Sequence, residues 1–275
     1  MIICADDFGL REDIDEAILE LCQLGKLSAV SCMVGLARCD KALMTRLLEH
    51  HLKVDIGLHL SLTDEGLPLS PPAALHESDY PTFSVFLRRA LLGQLRADEV
   101  SKAVSAQYEL FLRKSGRKPD HIDGHLHVHQ LPAVRRGILN FVLTLPPEDR
   151  PYLRNTSMSV SKIHRAGLPW IKAGLIGSLG TRMKAALRAH QLSTNEEFAG
   201  IYDFADWRRY PEFFPKFTAC LHNPNAILVV HPGRNEGWRQ SEFDTLRKSS
   251  LSDSKLNRFQ RHSLHAANRP HSVRV

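Results

Sequence analysis

An α/β fold on parallel strands, of the size of a single (β/α) barrel, is what this sequence predicts, and three observations predict it. Short apolar runs alternate with amphipathic segments at helical spacing, a rhythm that favours parallel strands joined by right-handed crossovers. Ionisable residues recur where the apolar runs stop, the edge at which α/β folds bind ligands. The chain is 275 residues long and 43% hydrophobic, enough to bury one full core.

Met1–Ala5 is a short apolar strand that stops at the adjacent acids Asp6 and Asp7, followed by Phe8 and Gly9. Neighbouring strand residues face opposite ways, but a turn at the strand end can rotate both acids into one pocket. From Arg11 onward, Ile14, Ala17, Ile18, Leu21 and Leu24 recur at helical spacing, with Gly25 as the stop. Residues 28–34 read as a strand, and Asp40 caps a helix carrying Leu43, Met44, Leu47 and Leu48. Within 53–60, Val54, Ile56, Leu58 and Leu60 share one strand face while Asp55, Gly57 and His59 share the other. A loop over 64–83 with Pro68, Pro71, Pro72 and Pro81 follows His59 directly and is expected to overhang the site it serves. Residues 98–113 form another amphipathic helix, with Val100, Val104 and Phe111 on its apolar side, and Pro132 suits the first turn of a further one. Residues 150–204 are less regular and offer Trp170, Phe198, Tyr202 and Phe204 as apolar faces for a ligand's ring. Residues 211–221 then lead into the apolar run 226–230, which breaks at His231-Pro232-Gly233.

The most informative stretch runs from His121 to His129, where four of the fifteen histidines and Asp123 stand on alternating positions. As one strand it would direct Ile122, Leu126 and Val128 one way and every ionisable side chain the other. Such a face is costly to bury without a function. Neutral imidazole is the commonest protein ligand for a metal ion, and a neighbouring carboxylate fixes its tautomer, so the row points to a metal site. Singly, each residue has a plainer reading. His59 and His231 suit hydrogen-bonded strand ends, Asp6 and Asp7 a turn and helix cap, and His127 and His129 solvated or supporting positions. Their recurrence at four strand ends favours one shared site.

Ala5-Asp6-Asp7-Phe8-Gly9-Leu10, then Gly57-Leu58-His59-Leu60-Ser61-Leu62-Thr63, then 117–129 with Leu131-Pro132, and last His231-Pro232-Gly233 come in a fixed order over about the first 235 residues. In order and spacing they resemble the signature blocks of the YdjC-like carbohydrate deacetylase family. The resemblance implies a metal-dependent N-deacetylase on a (β/α) barrel, distorted or incomplete, related to the polysaccharide deacetylases. It also implies metal ligands at Asp7, His59 and His125, a catalytic base at Asp6, and the histidine of the last motif at His231. Cys4 departs from the Asn or Thr expected before Ala-Asp-Asp, while Arg239, Glu242 and Leu246 fit an Arg/Glu/Leu segment of the family.

The chemistry is coherent without the name. Amide hydrolysis needs an activated water, a stabilised oxyanion and a proton donor, and two imidazoles with one carboxylate leave a metal open to catalysis. Asp6 can accept the water's proton and His231 can protonate the departing nitrogen, while Asp123 orients a histidine. His127 supports a ligand or touches substrate, and Arg154 meets substrate or an acidic neighbour. The mixed donor set suits zinc, cobalt, nickel, manganese or iron better than magnesium, yet magnesium is associated with the resembled family, so one divalent ion, magnesium or zinc, is expected. Two other classes stay open: a metal-dependent amidohydrolase or phosphoesterase, suggested by the His125-Leu126-His127 pair, and a catalytically silent carbohydrate-binding protein.

Five cysteines, odd in number and without a Cys-x-x-Cys pair, indicate neither a disulfide framework nor a zinc ribbon. The absence of a membrane-spanning run and of a leader before the first strand makes the cytoplasm the expected compartment. The net charge of +6 sits in the tail: 254–275 carries five basic residues and no acids, leaving 31 basic against 30 acidic residues elsewhere. No specific nucleic-acid contact is therefore expected, and the sequence leaves oligomerisation open. The expected organisation is one catalytic barrel domain over 1–252 and a solvated basic tail over 253–275.

Overall fold

The computed structural model describes residues 1–63, 82–168, 170–251 and 256–260. Of the loop expected to overhang the site, 64–81 lies outside the described residues, as do 261–275 of the tail.

Seven parallel strands, β1 (Ile2–Phe8), β2 (Ala29–Cys32), β3 (Asp55–Leu60), β4 (His121–Gly124), β5 (Tyr152–Leu153), β6 (Phe198–Ala199) and β7 (Ile227–Val230), form one sheet in the order β5-β4-β3-β2-β1-β7-β6. The helices α1 (Glu12–Gln23), α2 (Lys41–Leu48), α3 (Phe83–Leu91), α4 (Ala97–Ser115), α5 (Pro132–Val142), α6 (Val160–Arg165), α7 (Ile171–Ala189), α8 (Tyr210–Ala219) and α9 (Gly237–Lys248) alternate with them. The sheet curls into a half-barrel. One parallel bridge, Leu153 to Thr194, ties edge strand β5 to the segment that enters edge strand β6, so the expected barrel is present in incomplete form.

Every residue of every strand is buried, as expected where helices cover one face and the curled interior the other. The interior face is unusual in being polar. It carries Asp6, Ser31, His59, His121 and Asp123, all within 2% of full burial, where a barrel interior is ordinarily branched aliphatic. The helices follow their sequence signals: Ile14, Ala17, Ile18 and Leu21 of α1 are buried, Asp40 accepts a hydrogen bond from Leu43 N at the start of α2, and Pro132 opens α5.

The continuous strand read over His121–His129 is corrected. It ends at Gly124, and Leu126 (φ 52°) and His127 (φ 58°) are left-handed, so the chain turns back instead of extending. The alternation therefore governs only His121, Ile122 and Asp123. His129 is fully buried rather than solvated, and it packs so tightly beneath Gly124 that a Cβ there would lie 3.2 Å from its ring.

Residues 256–260, assigned by composition to a solvated tail, close the other end of the sheet. Asn257 N donates to Met1 O (3.0 Å), Arg258 Nε and Phe259 N donate to the two oxygens of buried Asp55 (2.6 and 2.8 Å), and the Phe259 ring stacks 4.0 Å from Tyr152. Ending the chain at residue 255 removes these donors to Asp55 and the Phe259–Tyr152 stack. Such a variant is expected to lose roughly 1–3 kcal/mol of stability, read as a lower urea midpoint at unchanged m.

Candidate active site

Asp6 and Asp7 reach the same pocket through a bulge, not through a turn after the strand. Ala5 pairs with Val30 and Phe8 with Cys32, so two β1 residues stand opposite the single Ser31. Asp7 takes the extra position with φ 71°, a left-handed conformation that Asp tolerates better than most residues. Gly57 is needed for a different reason. A Cβ there would sit 2.3 Å from the His121 ring, so its hydrogen is what admits that imidazole to the interior.

Asp7 is the hub. Its Oδ1 lies 2.9 Å from His125 Nδ1 and 3.5 Å from His59 Nε2, while Oδ2 accepts a 2.7 Å hydrogen bond from Arg239 Nη2. Strand register supplies the next contact: His59 of β3 pairs with Asp123 of β4, and His59 Nδ1 bonds Asp123 Oδ1 at 2.6 Å. That bond turns Nε2 toward Asp7.

Below lies a fully buried ionic network. Arg154 spans both oxygens of Asp6 at 2.6 and 2.7 Å, reaches Asp123 Oδ2 at 2.5 Å and donates to Cys4 Sγ at 2.9 Å. Ser31 Oγ donates to Asp123 Oδ2 (2.6 Å) and lies 2.8 Å from His121 Nε2. Burial pushes the Asp6 and Asp123 carboxyls up, but Arg154 and His59 together outweigh it and hold both below the ordinary carboxylate range. Of the two roles left open for Arg154, the structure shows contact with acidic neighbours.

His231 follows β7 with its Nε2 4.0 Å from Asp6 Oδ2. Its backbone N–H donates to Glu242 Oε2 (2.6 Å), and Glu242 Oε1 accepts from Tyr202 OH (2.7 Å). Burial lowers the His231 ring to about 4 despite the opposing pull of Asp7 and Asp6. His127 lines the same cavity from the turn after β4, edge-on to Phe198 and outside the Asp7–His59–His125 cluster.

Three sets of side chains among the described residues are close enough to hold one cation: Asp7/His59/His125, Asp6/His59/Asp123 and Cys4/His121/Asp123. In the last two, Arg154 already neutralises the carboxylates, and Asp123 and His121 do not line the cavity. Asp7, His59 and His125 all face a cavity of about 890 Å³, beside Asp6 and His231. Two nitrogens and one oxygen converging there fit a divalent ion with positions left open for water and substrate.

Sequence reasoning missed part of this surface. Trp238 lines the cavity and stacks on Phe204 at 4.0 Å, and both rings flank His231. Of the four aromatics proposed for a sugar, Tyr202 and Phe204 do line it, whereas Phe198 is buried in β6 and Trp170 stands against His164. No periodicity marks Trp238, which sits in a polar helix next to Arg239.

The family model for YdjC-like proteins matches residues 1–255. The chain belongs to the YdjC-like family. This YdjC-like chain is 30% identical over 264 residues to a carbohydrate deacetylase of Danio rerio, covering 85% of this chain and 81% of that one. It is 36% identical over 135 residues to a chitooligosaccharide deacetylase of Enterobacter sp. (strain 638), covering 49% and 52% respectively. The match thus spans about half the length of such chitooligosaccharide deacetylases. A crystal structure from Enterococcus faecalis V583, of a protein proposed to act in cellobiose-phosphate cleavage, shares the fold at TM-score 0.63 and 23% identity over 92% of each chain. No helix among the described residues is long and apolar enough to cross a membrane.

Proposed function

We propose that this protein is a divalent-metal-dependent hydrolase that removes the N-acetyl group from an acetylated amino sugar or oligosaccharide. The observation that carries the reading is the convergence of Asp7, His59 and His125 on one cavity, with Asp6 and His231 beside them. The names of the relatives supply the substrate class. A cation held by the three side chains, magnesium or zinc being the leading choices, supplies Lewis acidity that acidifies a water and polarises an amide carbonyl.

The remaining proton movements belong to the protein. Arg154 keeps Asp6 ionised, so Asp6 accepts the proton lost by the attacking water. With its pKa lowered to about 4, His231 is neutral at rest and has no proton of its own to give at neutral pH. The proton it delivers to the departing nitrogen is therefore the one taken up by Asp6, 4.0 Å away. The C–N bond breaks, the amine leaves protonated by His231, and acetate follows. Asp123 and Arg154 act by position, Asp123 on His59 and Arg154 on Asp6.

Acetate release from N-acetylglucosamine oligomers, with phosphate release from simple esters run alongside, tests the reading. Chelation is expected to abolish acetate release and an added divalent ion to restore it. His231→Ala is expected to retain the cation and lose about 10²–10⁴-fold in kcat. Undiminished turnover in the chelated enzyme, or phosphate release in place of acetate, overturns it.

A further inference from the structure

We propose that the amino sugar carries an aliphatic aglycone, and that the leucine-lined wall of the active-site cavity binds it. The inference rests on the deacetylase reading and specifies its substrate. The cavity, about 890 Å³, lies near the top of the ~300–1,000 Å³ range of small-molecule sites. Its ionisable floor and the Phe204–Trp238 stack beside His231 suit the acetamide and a sugar ring. Much of the remaining wall is aliphatic, with Leu126, Leu131, Leu175, Ile176 and Leu179 interrupted by His127, Gln130 and Ser178.

That wall is built, not incidental. Leu179 lies four positions from Leu175 and three from Ile176 on α7, so it neighbours both on one side of the helix. Helix α7 is seated by its glycines: a Cβ at Gly180 would fall 2.3 Å from Ser157 N, and one at Gly177 3.1 Å from Met158 Cγ. Leu126 is left-handed at φ 52°, a conformation that disfavours a bulky side chain and, where it persists, marks a functional constraint. It follows the proposed ligand His125 directly, and its side chain is nevertheless 46% exposed; Leu175 is 70% exposed. Large aliphatic groups left in water along a cavity wall call for an apolar occupant.

A bare oligosaccharide is a poor match for this wall. The charged groups lining the cavity away from the acids are already engaged, Arg11 with Asp13 and Glu236, and Arg239 with Asp7 and Glu236, and Ser178 Oγ donates to Leu175 O, which leaves sugar hydroxyls chiefly Gln130 Nε2 and His127 Nδ1 to bond there. The departing acetyl group is too short to cover five aliphatic side chains. An aglycone joined through the glycosidic oxygen is a part of the substrate long enough to do so.

The test compares acetate release by the full chain, loaded with a divalent ion, from three substrates below micellar concentration: the octyl and methyl β-glycosides of N-acetylglucosamine, and triacetylchitotriose. The octyl glycoside is expected to exceed both others by at least about a hundredfold in kcat/KM. Leu175→Asn and Leu126→Asn are each expected to cut the octyl-to-methyl ratio at least tenfold. Equal rates for the two glycosides, or preference for the chitotriose, overturn the aglycone while leaving deacetylation intact. Equilibrium binding of the two glycosides, followed by tryptophan fluorescence, keeps the cases apart. Tighter octyl binding that collapses in Leu175→Asn, with acetate from none, supports the wall and removes the deacetylase reading; equal binding with no acetate removes both.

Discussion

A His59→Ala protein is expected to bind no cation at concentrations that saturate the parent, and to lose at least about 10²–10³-fold in kcat/KM, the order lost when one electrostatic donor to a reacting oxygen is removed. Both ring nitrogens of His59 are committed, Nδ1 to Asp123 and Nε2 toward Asp7. Burial depresses the imidazole, yet Asp123 and Asp6 outweigh it and hold His59 at about 10 in the cation-free protein. Because this value is raised, the charged ring contributes stability that is fully present below the ordinary histidine pKa and is lost as pH rises through 10. A cation at Nε2 must expel that proton. Its affinity should therefore climb by about tenfold per pH unit below 10, with one proton released from His59 at pH 7. Calorimetry in two buffers of different ionisation enthalpy counts that proton, and a count of zero sinks the displacement. Arg154 still engages Asp123 Oδ2 in the variant, so a native near-UV spectrum serves as the control for folding.

The candidate residues stand out in the sequence because ionisable groups recur where apolar runs stop, and parallel strands bring their C-terminal ends together, while the choice of Asp7, His59 and His125 as ligands comes from the family resemblance. Asp7, His59 and His125 lie far apart in sequence yet offer ligand atoms within 4.8 Å of one another, through that convergence together with the bulge at Asp7 and the turn after Gly124. What local pattern could not reach depends on contacts between distant segments. The Arg239–Asp7 pair joins positions 232 residues apart, and neither residue signals the other. The turn at Leu126 breaks an alternation that reads as strand for nine residues, since period two records what a strand would do and not where it stops. The anchoring of 256–260 was hidden by composition: basic residues suggest solvent, while Arg258 is aimed at the buried carboxylate of Asp55.

Arg154→Met is expected to have the largest effect on stability, a loss of about 3–5 kcal/mol in urea unfolding at pH 7, because it leaves buried carboxylates without their counter-charge. Arg154 is fully buried, with Asp6 and Asp123 on its guanidinium. In the parent both carboxyls are held below the ordinary range, so their contribution is present above about pH 3.9 and lost as pH falls through the lowered values. Remove Arg154, and the leading opposition to the burial that raises Asp6 is reduced to His59. The variant then bears an unpaid desolvation cost at neutral pH, which protonation relieves. The gap in unfolding free energy between parent and variant should consequently narrow from pH 7 toward pH 4. A gap that stays constant on acidification would mean that Arg154 acts through packing alone. Adding Asp6→Asn removes one of the two stranded charges and should recover part of the loss, an interaction energy that a double-mutant cycle reads directly. Activity need not follow stability back, for Asn cannot accept the water's proton: the double variant should regain stability and remain inactive.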